Sequence, residues 1–230
     1  MTQDMTHVST AGIKGLLTTG WLIAALLSLA GCVNQTVKST SVPALDYPSV
    51  AVAEAEVLDV GVAILDPGIG ELDEDEPVYP EVRRAETTFM ATELTQTLQN
   101  SGAWGAVRVV PDENQFTDLL VRGVIVHSDG EQLALAVKVI DARGEVWIDK
   151  TYEGTTSRYA YEGRNANTQD PFLMVYRAIA NDMLKTFEAM EPKERITVRQ
   201  VVELRFARNF VEDAFDGYLK TDSRGRYSLQ

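Results

Sequence analysis

The chain is poor in the residues that build metal and redox sites. It has one cysteine, Cys32, in 230 residues, and two histidines, His7 and His127. A single thiol closes no internal disulfide and excludes Cys₂ and Cys₄ zinc sites. Two histidines argue against a histidine-rich metal site or a histidine relay. Basic residues are also scarce, with 21 Lys+Arg against 34 Asp+Glu, a formal net charge of -13 and a pI near 4.6. A field of that sign repels phosphate backbones and anionic surfaces, so nucleic acid is not an expected partner. There is no P-loop, Rossmann glycine fingerprint, G-x-S-x-G elbow or H-E-x-x-H. No catalytic residue, metal or cofactor is therefore expected. With 45% apolar and 24% charged residues, wholesale disorder, collagen and coiled coil are excluded as well.

The one long apolar run lies near the N-terminus, over residues 15–30, with Lys14 before it. As a helix it reaches roughly 24 Å at ~1.5 Å per residue, short of the ~30 Å hydrocarbon core of a bilayer. It reads as the core of a signal peptide over residues 1–31. The run ends in Leu29-Ala30-Gly31-Cys32. This pattern resembles the lipobox of bacterial lipoproteins: apolar, small, small, then cysteine. The resemblance implies cleavage between Gly31 and Cys32 and lipidation of the Cys32 thiol. It also implies acylation, with palmitate-like chains, of the new amino terminus. Several chains at ~0.8 kcal/mol per buried CH₂ anchor stably where one does not. Val33 after the cysteine, rather than Asp, points by the same resemblance to the outer membrane. Residues 32–50 are polar and without a period, which reads as a lipid-anchored flexible tether.

The body of the chain predicts an α+β fold. The expected order is β-α-β-β-β-β, a mixed sheet with an antiparallel meander packed by helices, followed by a helical C-terminal extension. Residues 57–65 predict the first strand, with an apolar set at 58, 60, 62 and 64, stopped by Asp66-Pro67-Gly68. Glu71 and Asp73-Glu74-Asp75-Glu76 form an acidic loop whose spacing fails the EF-hand pattern. Residues 82–101 predict a helix with a stripe of Val82, Ala85, Phe89, Met90, Leu94 and Leu98. Residues 107–110 are a short strand. Residues 119–127, 132–141 and 145–152 are β-rich runs broken by short glycine-containing gaps, the pattern of consecutive hairpins. After Asp170-Pro171 a helix is expected along Phe172, Val175, Tyr176, Ile179, Met183 and Phe187. Further helix is expected after Pro192, and a frayed tail from Lys220. The organisation expected is residues 51–165 as the α/β domain and residues 166–230 as the helical region.

Two segments of the meander carry a resemblance. Asp118-Leu119-Leu120-Val121-Arg122-Gly123-Val124-Ile125 is similar to a D-x-x-x-x-G-x-[IV] strand of bacterial envelope domains. Val137 to Trp147, with Asp141, Gly144 and Glu145 at the turn, looks like their V-[RK]-[LV]-[VI]-D-x-x-[GT]-G-E-V-[VI]-W hairpin. The group includes the curli-secretion lipoprotein CsgG, the flagellar lipoprotein FlgO and the amino-terminal domain of TolB. It implies an extracytoplasmic α/β domain with Trp147 as a packing anchor. The long amphipathic hairpin pair of a curli-type pore is missing from the sequence.

Binding rather than turnover is the functional expectation. Asp141 and Glu145 could be read as a hydrolase carboxylate pair, but turn chemistry accounts for Asp141 without catalysis. The loop after the meander holds Arg158, Tyr159, Tyr161 and Arg164, residue types enriched at interface hot spots. These four are the candidate partner-binding residues. The helices after Pro192 are the second candidate surface, because their apolar residues form no single stripe. The expectation is a non-catalytic, lipid-anchored scaffold or protein-binding module at the periplasmic face of the outer membrane. Its partners would be the membrane and an envelope protein, with self-association left open. An auxiliary subunit of an outer-membrane transport or assembly machine is the alternative, and a cell-wall or lipid hydrolase the third reading.

Overall fold

The computed structural model describes residues 35–71, 79–156, 170–215 and 217–230. Residues 35–230 form one compact unit. The expected signal peptide, Cys32 and the loop bearing Arg158, Tyr159, Tyr161 and Arg164 lie outside the described residues, as does the acidic loop beyond Glu71.

The centre is a six-stranded mixed sheet. Its strands in chain order are β1 (Gln35–Ser39), β2 (Val60–Ala63), β3 (Val107–Val110), β4 (Leu119–Ser128), β5 (Gln132–Asp141) and β6 (Val146–Thr155). In space the order is β1-β6-β5-β4-β2-β3. β2 pairs in parallel with β3 and β4, β1 pairs in parallel with β6, and β5 is antiparallel to both its neighbours. Five strands therefore start at one end of the sheet, here termed the leading end, and only β5 finishes there. The α+β class and the meander are as the sequence predicts. β4, β5 and β6 begin and end within a few residues of the expected runs, because alternation and glycine turns set both register and limits. At the β5–β6 turn Gly144 takes φ of 89°, a conformation that residues with a Cβ rarely adopt.

Two helices cover one face of this sheet, α1 (Pro80–Asn100) and α2 (Leu173–Ala189). That face is built from Val60, Val62, Leu119, Val121, Ile125, Leu133, Leu135, Val139, Ile148 and Tyr152, all at most 2% exposed. Gly154 lets α2 approach: a Cβ there would lie 2.6 Å from Val175 Cγ2. The buried face of α1 keeps half of the predicted stripe, Met90, Leu94 and Leu98, and departs from it in the first turns. Val82 and Phe89 are more than half exposed, whereas Arg83, Thr87, Met90, Ala91, Leu94 and Leu98 are buried. Arg83 turns inward because its guanidinium has partners there. Nη1 donates to the Ile125 carbonyl at 3.3 Å, Nη2 to the Ser128 carbonyl at 3.4 Å, and Nε lies 3.4 Å from the Glu86 carboxylate.

α3 (Pro192–Phe210) opens on Pro192 and a capping box between Glu191 and Glu194. It crosses the leading end of the sheet. Val198 and Val201 are fully buried, Arg199 Nη1 donates to the Glu54 carbonyl, and Arg205 Nη1 donates to the Ala142 carbonyl. A short helix, α4 (Glu212–Phe215), follows.

Two expectations about the chain's margins are corrected. The stretch expected to be a flexible tether, in its described part from Gln35, is held to the domain. Residues 35–39 form the edge strand β1, in register from Gln35 with Lys150 to Ser39 with Gly154. Beyond it, Arg177 donates to the Pro43 carbonyl, Asn181 donates to the Ala44 carbonyl, and the Ser49 hydroxyl donates to Glu188 at 2.7 Å. An edge strand meets only one neighbour, so it needs little apolar alternation, and its polar sequence reads as coil. The expected frayed tail is a hairpin of β7 (Leu219–Thr221) and β8 (Tyr227–Leu229). The Tyr227 amide donates to the Arg143 carbonyl at 2.7 Å, and Arg226 pairs with Glu145 at 2.8 Å. Leu219, 4% exposed, places the hairpin in the core.

Candidate functional site

The carboxylates singled out in the sequence sit at the leading end, in the β5–β6 turn. Asp141 is 4% exposed and accepts five hydrogen bonds. They come from the Arg143 amide at 2.9 Å, Arg143 Nε at 3.0 Å and Nη2 at 2.7 Å, the Glu145 amide at 3.1 Å and Trp147 Nε1 at 3.0 Å. Both oxygens are filled by turn and indole donors. Glu145 faces Arg226. The pair therefore organises the hairpin, and Trp147 is half-buried and tied to the turn by its N–H.

A second acid, Asp118, lies at the start of β4 and is 5% exposed. Its Oδ2 accepts from the Asp59 amide at 2.7 Å, and its backbone carbonyl accepts from the Ala142 amide. Oδ1 has no hydrogen-bond partner. Burial pushes its pKa up to about 6, raised further by Asp59 and Glu203, against the opposing pull of the Asp59 amide and of Arg199. This is the Asp that carries the strand resemblance. Its place is structural: it joins the first residues of β2 and β4 to the β5–β6 turn.

Between α2 and the sheet, Asp182 Oδ2 accepts from Lys150 Nζ and from the Tyr152 hydroxyl, both at 2.8 Å. Burial, then the bond to Asp182 and its charge, raises the Tyr152 pKa above the ordinary phenol value. At the trailing end, Asp170 accepts from the Phe172 amide at 2.6 Å, and its pKa is raised by burial against that bond. His127 Nε2 lies 3.0 Å from Asp129, an exposed turn pair. Among the described residues no group of three or more His, Cys, Asp and Glu is placed to hold a metal ion. No described helix is long and apolar enough to cross a membrane.

An open cleft of about 620 Å³ lies at the leading end, between the β3–β4 connection and the end of α3. Glu113, Asn114, Phe116, Arg205, Arg208 and Phe210 are among its walls. Phe116 meets Phe206 edge to face with centroids 5.6 Å apart, and Phe206 meets Phe210 at 4.9 Å. These rings stay in water: Phe116 is 38%, Phe206 50% and Phe210 69% exposed. Arg205 lies over both the Phe116 and Tyr227 rings, at 5.9 and 4.7 Å. The expectation that the segment after Pro192 leaves an apolar patch uncovered matches this arrangement. The part played by Phe116 was not legible, since it arrives from a loop ninety positions away in sequence.

The face of the sheet turned away from α1 and α2 is also open. Val124 and Ala136 are half-buried there, beside Arg122, Lys138 and Asp149 in a shallow cleft of about 460 Å³. Lys138 pairs with Asp149 at 3.1 Å, and Arg122 pairs with Glu113.

No known protein family matches the chain, and no curated protein matches it. Solved structures similar over part of it include two. One is a Xanthomonas campestris protein of the DUF330 family, 13% identical, covering 66% of this chain and 91% of that one, with a TM-score of 0.39. The other is a dodecamer of PelC from Paraburkholderia phytofirmans, 15% identical, covering 66% of this chain and 95% of that one, with a TM-score of 0.33.

Proposed function

We propose that this chain is a lipid-anchored, non-catalytic envelope protein. Cys32 holds it at the periplasmic face of the outer membrane, where the domain works as a scaffold or protein-binding module. The observation that carries this reading is the motif Leu29-Ala30-Gly31-Cys32, with only Val33 and Asn34 between it and the first strand of a compact domain. The bonding of Asp141 and Glu145 supports the non-catalytic part: a general acid or base needs a free lone pair or proton facing substrate, and Asp141 has turn donors on both oxygens. Holding a folded domain at a membrane raises its effective concentration for a neighbouring envelope protein.

The segment with Arg158, Tyr159, Tyr161 and Arg164 is the proposed protein-binding loop, and the acidic remainder of the domain favours a basic or neutral partner with salt-sensitive association. Replacing those four residues by alanine and isolating the protein from solubilised envelope is the test. The expected result is an unchanged melting curve with loss of the co-isolated envelope proteins. Retention of every partner contradicts the loop assignment. Hydrolysis of peptidoglycan or phospholipid by the purified protein contradicts the non-catalytic reading.

A further inference from the structure

We infer that β1 turns the anchor from a leash into a short mount, which holds the domain against the membrane that the Cys32 lipid enters. This inference rests on the reading of Cys32 as the anchor.

The chain leaves little slack between the anchor and the core. Three residue steps separate Cys32 from Gln35, a reach of at most ~11 Å whatever path they take. From Gln35 onward the chain is fixed. Five successive residues of β1 pair with β6, Lys38 Nζ bridges to Glu153 at 2.9 Å, and Val37 packs against the core. The attachment continues along α2. Arg177 and Asn181 hold the Pro43 and Ala44 carbonyls, the Asp46 amide donates to Asn181 at 3.0 Å, and the Ser49 amide and hydroxyl both donate to Glu188. Leu45 and Val52 pack against the core along the same path. A free coil over residues 33–50 would instead span about 23 Å on average and about 60 Å when drawn out.

A short mount restricts where binding can occur, because tethering raises effective concentration only for sites that the linker can span. A unit of the length of residues 35–230 is roughly 40 Å across. No part of it then stands more than ~55 Å from the membrane, and Gln35 stands within ~11 Å. The mount sets height and not tilt. Gln35 lies opposite Lys150, in the middle of the ten-residue strand β6, so the pairing favours neither end of the sheet. The protein partner of the proposed module is therefore one whose contact surface lies within that layer, and a partner held deeper is out of reach.

The test uses the full chain isolated with its own N-terminus from membranes, carrying Asp149→Cys. Asp149 is exposed on β6 beside Lys150, the partner of Gln35, so a label there rides on the domain and not on the leash. The ion pair it gives up, to Lys138, is solvent-exposed. A lipidated Cys32 has no free thiol, so a donor dye attaches at position 149 alone. The protein is reconstituted into vesicles of phosphatidylethanolamine with acceptor dye on a minority of headgroups, and energy transfer gives the distance of closest approach. The expected distance is ~20 Å, the reach to Gln35 plus one strand spacing and a side chain. Twenty Gly and Ser residues inserted between Asn34 and Gln35 should lengthen it by at least ~10 Å, since such a coil spans ~25 Å. Thr36→Pro with Val37→Pro should lengthen it too, with the melting curve confirming a folded domain. Consecutive amides point to opposite edges, so one of the two prolines removes a β1 amide from the ladder and frees the chain as far as Pro43. Equal distances in the parent and the spacer variant overturn the inference, because the leash then does not set the height. An unchanged distance in the folded proline variant overturns it as well, because β1 is then not what shortens the leash. Intact mass of the same samples separates the two claims. Acyl mass with equal distances removes the mount and leaves the anchor, and a chain without acyl mass removes both.

Discussion

Replacing Asp118 by Asn should change how the stability of this protein depends on pH. Asp118 is 5% exposed, one of its oxygens has no partner, and its pKa in the folded chain is about 6 against an ordinary 3.8. A raised carboxyl pKa means that the folded state holds a proton that the unfolded state has already released. Between about pH 4 and pH 6 stability therefore falls as pH rises, and above that window the cost is constant. About two pH units at ~1.36 kcal/mol each gives a loss of about 3 kcal/mol for the parent across the window. The groups facing it from neighbouring elements are Asp59, Arg199 and Glu203, and none is altered by the change. Asn keeps an oxygen for the Asp59 amide and cannot ionise. The assay is urea unfolding of Asp118→Asn and parent protein from pH 4 to pH 7.5. The variant-minus-parent difference should rise by about 3 kcal/mol over that range, about 6–12 °C in melting temperature for a unit of this size. Parallel pH profiles would refute the reasoning, because Asp118 would then be ionised without penalty in the folded state.

Arg83→Ala should cost about 3–5 kcal/mol in urea unfolding, since it strips the Ile125 and Ser128 carbonyls of a buried cation and leaves Glu86 with only the Ser128 hydroxyl; a cost below about 1 kcal/mol would mean that water replaces the guanidinium. Gly154→Ala should lose about 1–3 kcal/mol by pushing Val175 and Met174 away from the sheet, read as a lower midpoint with an unchanged slope. Trp147→Ala removes a half-buried ring and one hydrogen bond to Asp141, so about 2 kcal/mol is expected in thermal unfolding, less than for a fully buried tryptophan. Asp141→Ala should cost more than Trp147→Ala, because five donors lose their acceptor together, and calorimetry of the two variants side by side ranks them.

The meander was legible because its information is local. Alternation over 132–141 fixes which side chains face the helices, and Gly144 marks the turn within the same stretch. β1 was not, since Gln35 to Ser39 holds one valine and becomes a strand only by pairing with β6 more than a hundred residues later. The first turns of α1 bury a different face from the apolar stripe for a related reason. An arginine counts as a surface residue until two carbonyls and a glutamate are known to meet it, and these come from β4 as well as from the helix itself. The closing hairpin does carry a local signal: Leu219 and Tyr227 flank Asp222-Ser223-Arg224-Gly225, an Asp- and Gly-bearing turn between alternating residues. At the leading end, the arginines and phenylalanines of α3 were visible as residue types. Their ring contact with Phe116 was not, because no periodicity links a loop residue to a helix crossing the other end of the chain.

Lipidation at Cys32 ties the proposed envelope role to the membrane, and the intact mass of the protein extracted from membranes tests it. The expected chain begins at Cys32, lacks residues 1–31 and carries the added mass of a diacylglyceryl group and an amide-linked acyl chain. A chain that retains residues 1–31, or one that begins elsewhere with an unmodified Cys32 thiol, would contradict it.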